Sequence, residues 1–311
     1  MLSIECQGSP REMGRQYGEA ARKGIARNHE YKNIQSRAAK AARFITAARK
    51  LLTCKLPDIL DELDGIAEGS GMPPEAVLYD NFSDTFGDSW TERCTPVALC
   101  RSPAGPLVGK NNDCPAGEVD RLDFVIRTTR PARGLPMIQL TYAGWISGLD
   151  AVNAQGLGNT HGSVGSTFDK TGPRVDIRLQ AYHLMRQCST TGSFTEGLMA
   201  ASLTGKGFNI IVMDRHGDGR VIEAAVPLIA VRPTRGDFLY STNHYATPAL
   251  AAHDGRSPAK REISAHRYGY LQWREATTPP ADLDGLRQLL ASHEPWAPCR
   301  HGGAHGSHTV W

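Results

Sequence analysis

Apolar residues recur three and four positions apart from Pro10 to about Ala67. "REMGRQYGEAARKGIARNHEYKNIQSRAAKAARFITAARKLL" carries that period on Ala, Arg, Lys and Glu, and "LPDILDELDGIAEGSG" repeats it before stopping at Gly69 and Gly71. The spacing predicts helices with an Arg-rich face in solvent. After "MPPEAVLYDNFSDTFGDSW" the period changes. From Cys94 onward short apolar segments alternate with Gly, Asn and Asp turns: "TPVALC", "GPLVGKNND", "FVIRTT", "PMIQLTYAG", "GLDAVNAQGLGNTHG", "NIIVMDRHGDGRVIEAA", "LIAVRP" and "FLYSTNH". These predict strands, with "DRHGDGR" the clearest hairpin turn. Helical spacing returns in "RVDIRLQAYHLMRQCST", "ISAHRYGYLQWREA" and "DLDGLRQLLASH", and "ATTPPAD" reads as a loop between the last two. Strands bracketed by helical blocks predict a layered α+β domain.

Composition narrows the partners. The 311 residues are 40% hydrophobic and 22% charged, the balance of a globular chain, and the net charge of +3 is spread rather than clustered. Nucleic acid is therefore not an expected partner. No apolar run approaches the roughly 20 residues of a membrane helix, so no membrane span is expected. The opening "MLSIECQGSPREMG" lacks the basic end and apolar block of a secretory signal, and the expected location is cytoplasmic. Seven cysteines without a CxxC pair argue against a disulfide framework or a zinc ribbon. Most are expected to be small buried apolar residues.

Several chemistries can be set aside. "GPLVGKNND" lacks the Ser or Thr after Lys and the Gly spacing of a phosphate-binding loop. "GLGNTHG" reads as a turn between strands, because no helix with an acidic residue about 20 positions on follows it. "CRHGGAHGSH" gathers Cys299, His301, His305 and His308, but its Gly-rich setting reads as loop histidines, so neither a metal nor a cofactor is expected. Neither the GxSxG elbow of a serine hydrolase nor a papain-like signature occurs.

Cys94 is left, in "TERCTPVALC", heading a strand where helices give way to sheet. It reads either as a core thiol or as a nucleophile. If the Arg93–Cys94 bond were cut, the new α-amine, with a pKa of about 7.7–8.0, would lie within reach of the thiol as its base.

The chain resembles the acyl-coenzyme A:6-aminopenicillanic acid acyltransferase family of N-terminal nucleophile hydrolases, relatives of the choloylglycine hydrolases. The motifs that carry the resemblance run in the family's order: "GSPREMGRQYG", "DELDGIAEGSGMPPEAVLYDN", "CTPVA", "GKNND", "NAQGLGNTHG", "NIIVMDRHGDGRVIE" and "STNHY". The resemblance implies a four-layer αββα sandwich and a precursor that cleaves itself between Arg93 and Cys94. Residues 1–93 would then form a small subunit packed on residues 94–311, the two together making one domain. It implies Cys94 as nucleophile toward a small-molecule amide or thioester, with water or an amine as acceptor. Asp113, nineteen residues after Cys94, matches the acidic residue that orients the nucleophile's amine, and Asn243 in "STNHY" matches the asparagine that stabilises the oxyanion.

Lys110 stands where choloylglycine relatives carry arginine, and Arg267 in "SAHRYGYL" falls at a similar S-x-x-R segment, with a helix-surface charge as its other reading. Asn112 and His244 flank the matched positions as candidate supporting residues. Asn153 and Glu223 also match, and are read as fixing a turn and ending a strand. Two departures stand out. Arg93 occupies a position that is often small in relatives, and the chain stops at "HTVW" where relatives continue through a hairpin: either the sequence is truncated there or the sheet closes differently, and an unpaired edge at Trp311 would invite a homo-oligomer. The competing reading is an unprocessed, silent relative that binds a small amide or a protein; a zinc hydrolase using the terminal histidines is a weaker third.

Overall fold

The structure is a computed structural model that describes residues 1–83, 94–115, 120–168, 174–233, 236–301 and 307–310. Arg93, His305 and Trp311 lie outside the described residues.

The chain opens with strand β1 (Leu2–Gly8), then helices α1 (Pro10–Tyr31), α2 (Ile34–Lys40), α3 (Ala42–Lys55), α4 (Pro57–Ser70) and α5 (Pro74–Asn81). Strands follow: β2 (Thr95–Leu99), β3 (Leu107–Asn111), β4 (Asp113–Pro115), β5 (Phe124–Pro131), β6 (Met137–Tyr142), β7 (Ala151–Asn153), β8 (Gly158–Val164) and the short β9 (Val175–Asp176). After helices α6 (Ile177–Met185) and α7 (Thr191–Met199) come β10 (Leu203–Thr204), β11 (Gly207–Met213), β12 (Gly219–Ala225), β13 (Leu228–Arg232) and β14 (Phe238–Tyr240). The described chain closes with α8 (Pro248–Ala251), α9 (Pro258–Thr277), α10 (Leu283–Ala291) and β15 (Ser307–Thr309).

Most of the strands make two facing sheets, and β9 pairs with β10 separately. The larger runs β1-β5-β6-β7-β8-β11-β12-β13, antiparallel except where β1 joins β5 in parallel. The smaller runs β14-β2-β3, and β15 pairs with β4 just beyond it. Alternation along β2 shows how the layers stack: Ala98 packs with Ile211, Met213, Val221 and Leu239 between the sheets, whereas Val97 and Leu99 pack outward with Leu271, Leu286 and Leu289 of α9 and α10. On the far side of the large sheet lie α1 to α7, whose apolar residues share one core with the strands. The result is an αββα sandwich, the α+β class that the sequence predicts.

Local chemistry sets the helix bounds. Ser9 and Glu12 close a capping box on α1, with the Ser9 N–H donating to Glu12 Oε2 at 2.7 Å and Pro10 in the first turn. The long helical text divides at Asn33, which takes a left-handed φ of 52°, a conformation Asn tolerates. There the preceding Lys32 is drawn to Asp80, Nζ to Oδ1 at 3.3 Å. Gly71 ends α4 in the left-handed region, φ 74°. The glycines of "GRQYG" and "GIAEG" have a packing cause: a Cβ on Gly14 or Gly18 would collide with the α4 backbone, and one on Gly65 or Gly69 with that of α1. These two helices touch backbone to backbone. The elements not foreseen from the periodicity include β1, α5, α7, α8 and β15.

Candidate active site

Cys94 immediately precedes β2 and is fully buried. Its Sγ donates to Asn112 Oδ1 at 3.3 Å, and its carbonyl accepts from Arg267 NH1 at 2.9 Å. The register of β2 against β3, with Thr95 opposite Asn111, brings the "GKNND" turn beside the cysteine.

Arg267 is not a helix-surface charge. It projects from α9 into the interior with 1% exposure. NH1 also donates to Thr95 Oγ1 at 2.9 Å, and NH2 donates to Asn243 Oδ1 at 2.6 Å. One guanidinium thus ties the start of β2 to the "STNHY" loop, a planar fork's task that a lysine would do poorly. Burial pushes its pKa down to about 10, although the nearby Asp113 carboxylate favours its charge.

Asp113 opens β4. Its Oδ1 accepts from Thr309 Oγ1 of β15 at 2.7 Å, whereas Oδ2, also buried, has no hydrogen-bond partner among the described residues. Burial raises the carboxyl to about 6, and Arg267 and Thr309 only partly offset that. This is a carboxylate kept short of donors.

Asn243 is held on every side. Its backbone N–H donates to Ser264 Oγ at 2.7 Å, its carbonyl accepts from Arg256 at 2.7 Å, and its Nδ2 donates to the Ser163 carbonyl at 2.7 Å. With Oδ1 on Arg267, the side-chain orientation is fixed, and the second amide hydrogen is left for another acceptor. Asn209 on β11 supports the same loop through Thr242 O at 2.9 Å and His244 O at 2.7 Å. Glu223 receives the N–H groups of Ala246 and Thr247 at 3.1 and 2.9 Å, so its role lies beyond the end of a strand.

Two candidates point elsewhere. Lys110 Nζ lies 2.6 Å from Asp150 Oδ2 and 3.4 Å from His161 Nδ1, in a largely buried cluster. His161 and Lys110 hold the Asp150 carboxyl far below the usual carboxylate range despite its burial. His244 Nδ1 sits 2.8 Å from Ser264 Oγ, and burial together with nearby arginines lowers its pKa to about 4, so it is neutral there. Asn153 fixes the turn after β7, its Oδ1 accepting from Gln155 and Leu157 N–H at 3.0 and 3.1 Å. Sequence reasoning did not single out Ser264, Asn209, Arg256 and Thr309; each acts through a hydrogen bond to a residue distant in sequence.

A cavity of about 30 Å³ adjoins Asn112 and is lined by Asp150, His161, Ser163 and Phe208. That is room for about one water. Asp150 and Leu140 also wall an outer groove of about 470 Å³, where Val108, Ile126, Ile138 and Val152 are exposed. The Asn112 Nδ2 is buried without a hydrogen-bond partner among the described residues.

No protein-family model matches the chain. Among curated proteins, the 40 kDa form of acyl-coenzyme A:6-aminopenicillanic-acid acyltransferase from Emericella nidulans is 26% identical over 166 residues, 50% of this chain and 45% of that protein. Over that stretch the chain is similar to this acyltransferase. The matched stretch spans just under half the length of the Emericella nidulans protein. Among solved structures, a Caenorhabditis elegans ortholog of N-acylethanolamine-hydrolyzing acid amidase aligns with TM-score 0.47 at 14% identity, over 65% of this chain and 87% of that one. A mutant conjugated bile acid hydrolase from Clostridium perfringens aligns with TM-score 0.37 at 15% identity, over 57% of each chain. No helix among the described residues is long and apolar enough to cross a membrane.

Proposed function

We propose that this acyltransferase relative is a self-processing cysteine amidohydrolase or acyltransferase of the N-terminal nucleophile type. The observation that carries the reading is the setting of Cys94: thiol on Asn112, carbonyl on Arg267, and close by a buried Asp113 with an oxygen that lacks a donor. A newly freed α-ammonium on Cys94 is a suitable donor for that oxygen.

In the proposed maturation the Cys94 thiol adds to the Arg93 carbonyl, the acyl group shifts from nitrogen to sulfur, and water cleaves the thioester. Residues 1–93 leave with a carboxylate, and Cys94 keeps its α-amine. In turnover that amine takes the thiol proton as sulfur attacks the acyl carbonyl of an amide or thioester, then passes it to the departing amine or thiol. Water or an amine resolves the acyl-Cys94 bond, the difference between hydrolysis and transfer. Asn243, fixed by Arg267, offers its remaining amide hydrogen to the oxyanion, a contribution typically worth ~10²–10³ in rate. The exposed aliphatic residues of the outer groove favour an apolar acyl group. Seven free thiols fit a reducing, cytoplasmic setting.

Intact-mass spectrometry of the purified protein tests the reading. Two chains divided between Arg93 and Cys94 are expected, and a single chain in Cys94→Ala. A wild-type chain that stays whole while turning over small acyl amides would overturn it.

A further inference from the structure

The histidine-rich segment near the end of the chain takes no part in the chemistry above, yet the fold gathers it. His293, Cys299 and His301 bring one ligand atom each within 4.8 Å of one another, and His293 was not among the residues singled out by spacing. Cys299 Sγ lies 3.3 Å from His301 Nε2, and the His293 and His301 rings stack at 4.9 Å. Zinc–sulfur and zinc–nitrogen bonds of ~2.3 and ~2.1 Å place sulfur and nitrogen roughly 3.5 Å apart on a tetrahedron. The Cys299–His301 pair already has that spacing. The other ring nitrogen of His301, Nδ1, lies 3.3 Å from His308 Nε2. Such a contact fixes the tautomer of a metal-bound imidazole by taking its second N–H.

We infer that His293, Cys299 and His301 form a binding site for a divalent ion of the zinc class, with His308 orienting His301 and a fourth position open to water. A thiolate with two imidazoles favours zinc over the oxygen-seeking magnesium and calcium. The site is surface-lying: His293 and His301 are exposed, and Cys299 is half-buried. It is also wired to the candidate active site. His308 and Thr309 are adjacent on β15; Thr309 N–H donates to Arg300 O at 2.8 Å, Thr309 Oγ1 accepts from the Arg300 N–H and donates to Asp113 Oδ1, and Val310 N–H donates to Asn112 O at 2.8 Å. An ion bound only when residues 299–301 and 308 are together stabilises that arrangement by mass action. Zinc therefore steadies the segment that holds Asp113.

The test uses the full 311-residue chain without a histidine tag, stripped with chelator and titrated with Co²⁺ alone. One equivalent should bind with a thiolate-to-cobalt charge-transfer absorption, and Zn²⁺ should displace it. Cys299→Ser should remove that band and Cys54→Ser, at an exposed thiol elsewhere, should leave it. His308→Ala should keep the band while weakening affinity about 10–100-fold. Absence of saturable binding, or a band that survives Cys299→Ser, overturns the site. In zinc the amides of Thr309 and Val310 should exchange with deuterium more slowly, and unchanged exchange overturns the link to Asp113.

Discussion

Asp80 in the helical layer and Asp113 at the candidate site are both fully buried carboxylates, and the fold treats them in opposite ways. For each, burial alone raises the pKa. At Asp80, Lys32 at 3.3 Å and His29 at 3.5 Å reverse that effect and hold the group well below the ordinary range. At Asp113, Arg267 and Thr309 do not reverse it, and the carboxyl rests at about 6. The carboxylate that fastens α5 to the end of α1 is given an ammonium, whereas the one at the candidate site is left short of donors. Perturbed groups of the second kind collect at functional sites.

The largest effect should come from Asp80→Asn, which strands the Lys32 ammonium in the core. We expect a loss of about 3–5 kcal/mol in urea unfolding. A loss below about 1 kcal/mol would erase the contrast. Next, Gly65→Ala drives a Cβ into the α1 backbone, and at the upper end of overpacking costs it should lose about 3 kcal/mol, where a surface helix would gain from alanine.

Asp113→Asn should move the other way. The folded pKa lies above the unfolded value, so the protonated group's stability is complete below about pH 4 and is lost as pH rises through about 6. Removing the charge should therefore stabilise the fold by about 1–3 kcal/mol at pH 7.5, with no gain below pH 4, while abolishing turnover. Asp80, whose pKa is depressed, contributes stability above the unfolded value near 4 that is lost as pH falls through its folded pKa. Equal pH profiles for the two variants would contradict the comparison. The smallest stability effect belongs to Ser264→Ala, about 1 kcal/mol from the lost Asn243 N–H bond. Its kcat should fall more than its KM changes, the mark of a positioning residue.

Much of this architecture was legible from periodicity. Residues of period 3.6 up to Ala67 became α1 to α4, and alternating segments after Cys94 became strands of both sheets. β1 was missed because "LSIECQG" is short and joins the sheet through a parallel pairing with residues more than a hundred positions on. α7 was missed because "TGSFTEGLM" has two glycines and little charge patterning. At the site, Cys94, Asp113 and Asn243 were singled out by an ordered set of motifs, and the fold places the first and last on either side of Arg267. Lys110 matched a family position by spacing, but its side chain goes to Asp150, since a single ammonium satisfies one buried carboxylate better than it bridges two loops. Ser264 lay within the quoted S-x-x-R segment without being singled out, and Thr309 carries no local signature: their partners lie 21 and 196 residues away.

The most direct measurement traps the reaction on the protein. After rapid acid quenching of turnover on a small acyl amide, peptide mass spectrometry should find the acyl group on the sulfur of a peptide whose first residue is Cys94, and on no peptide of Cys94→Ala. An acyl group on another cysteine, or on an uncut peptide running through Arg93 and Cys94, would contradict the account.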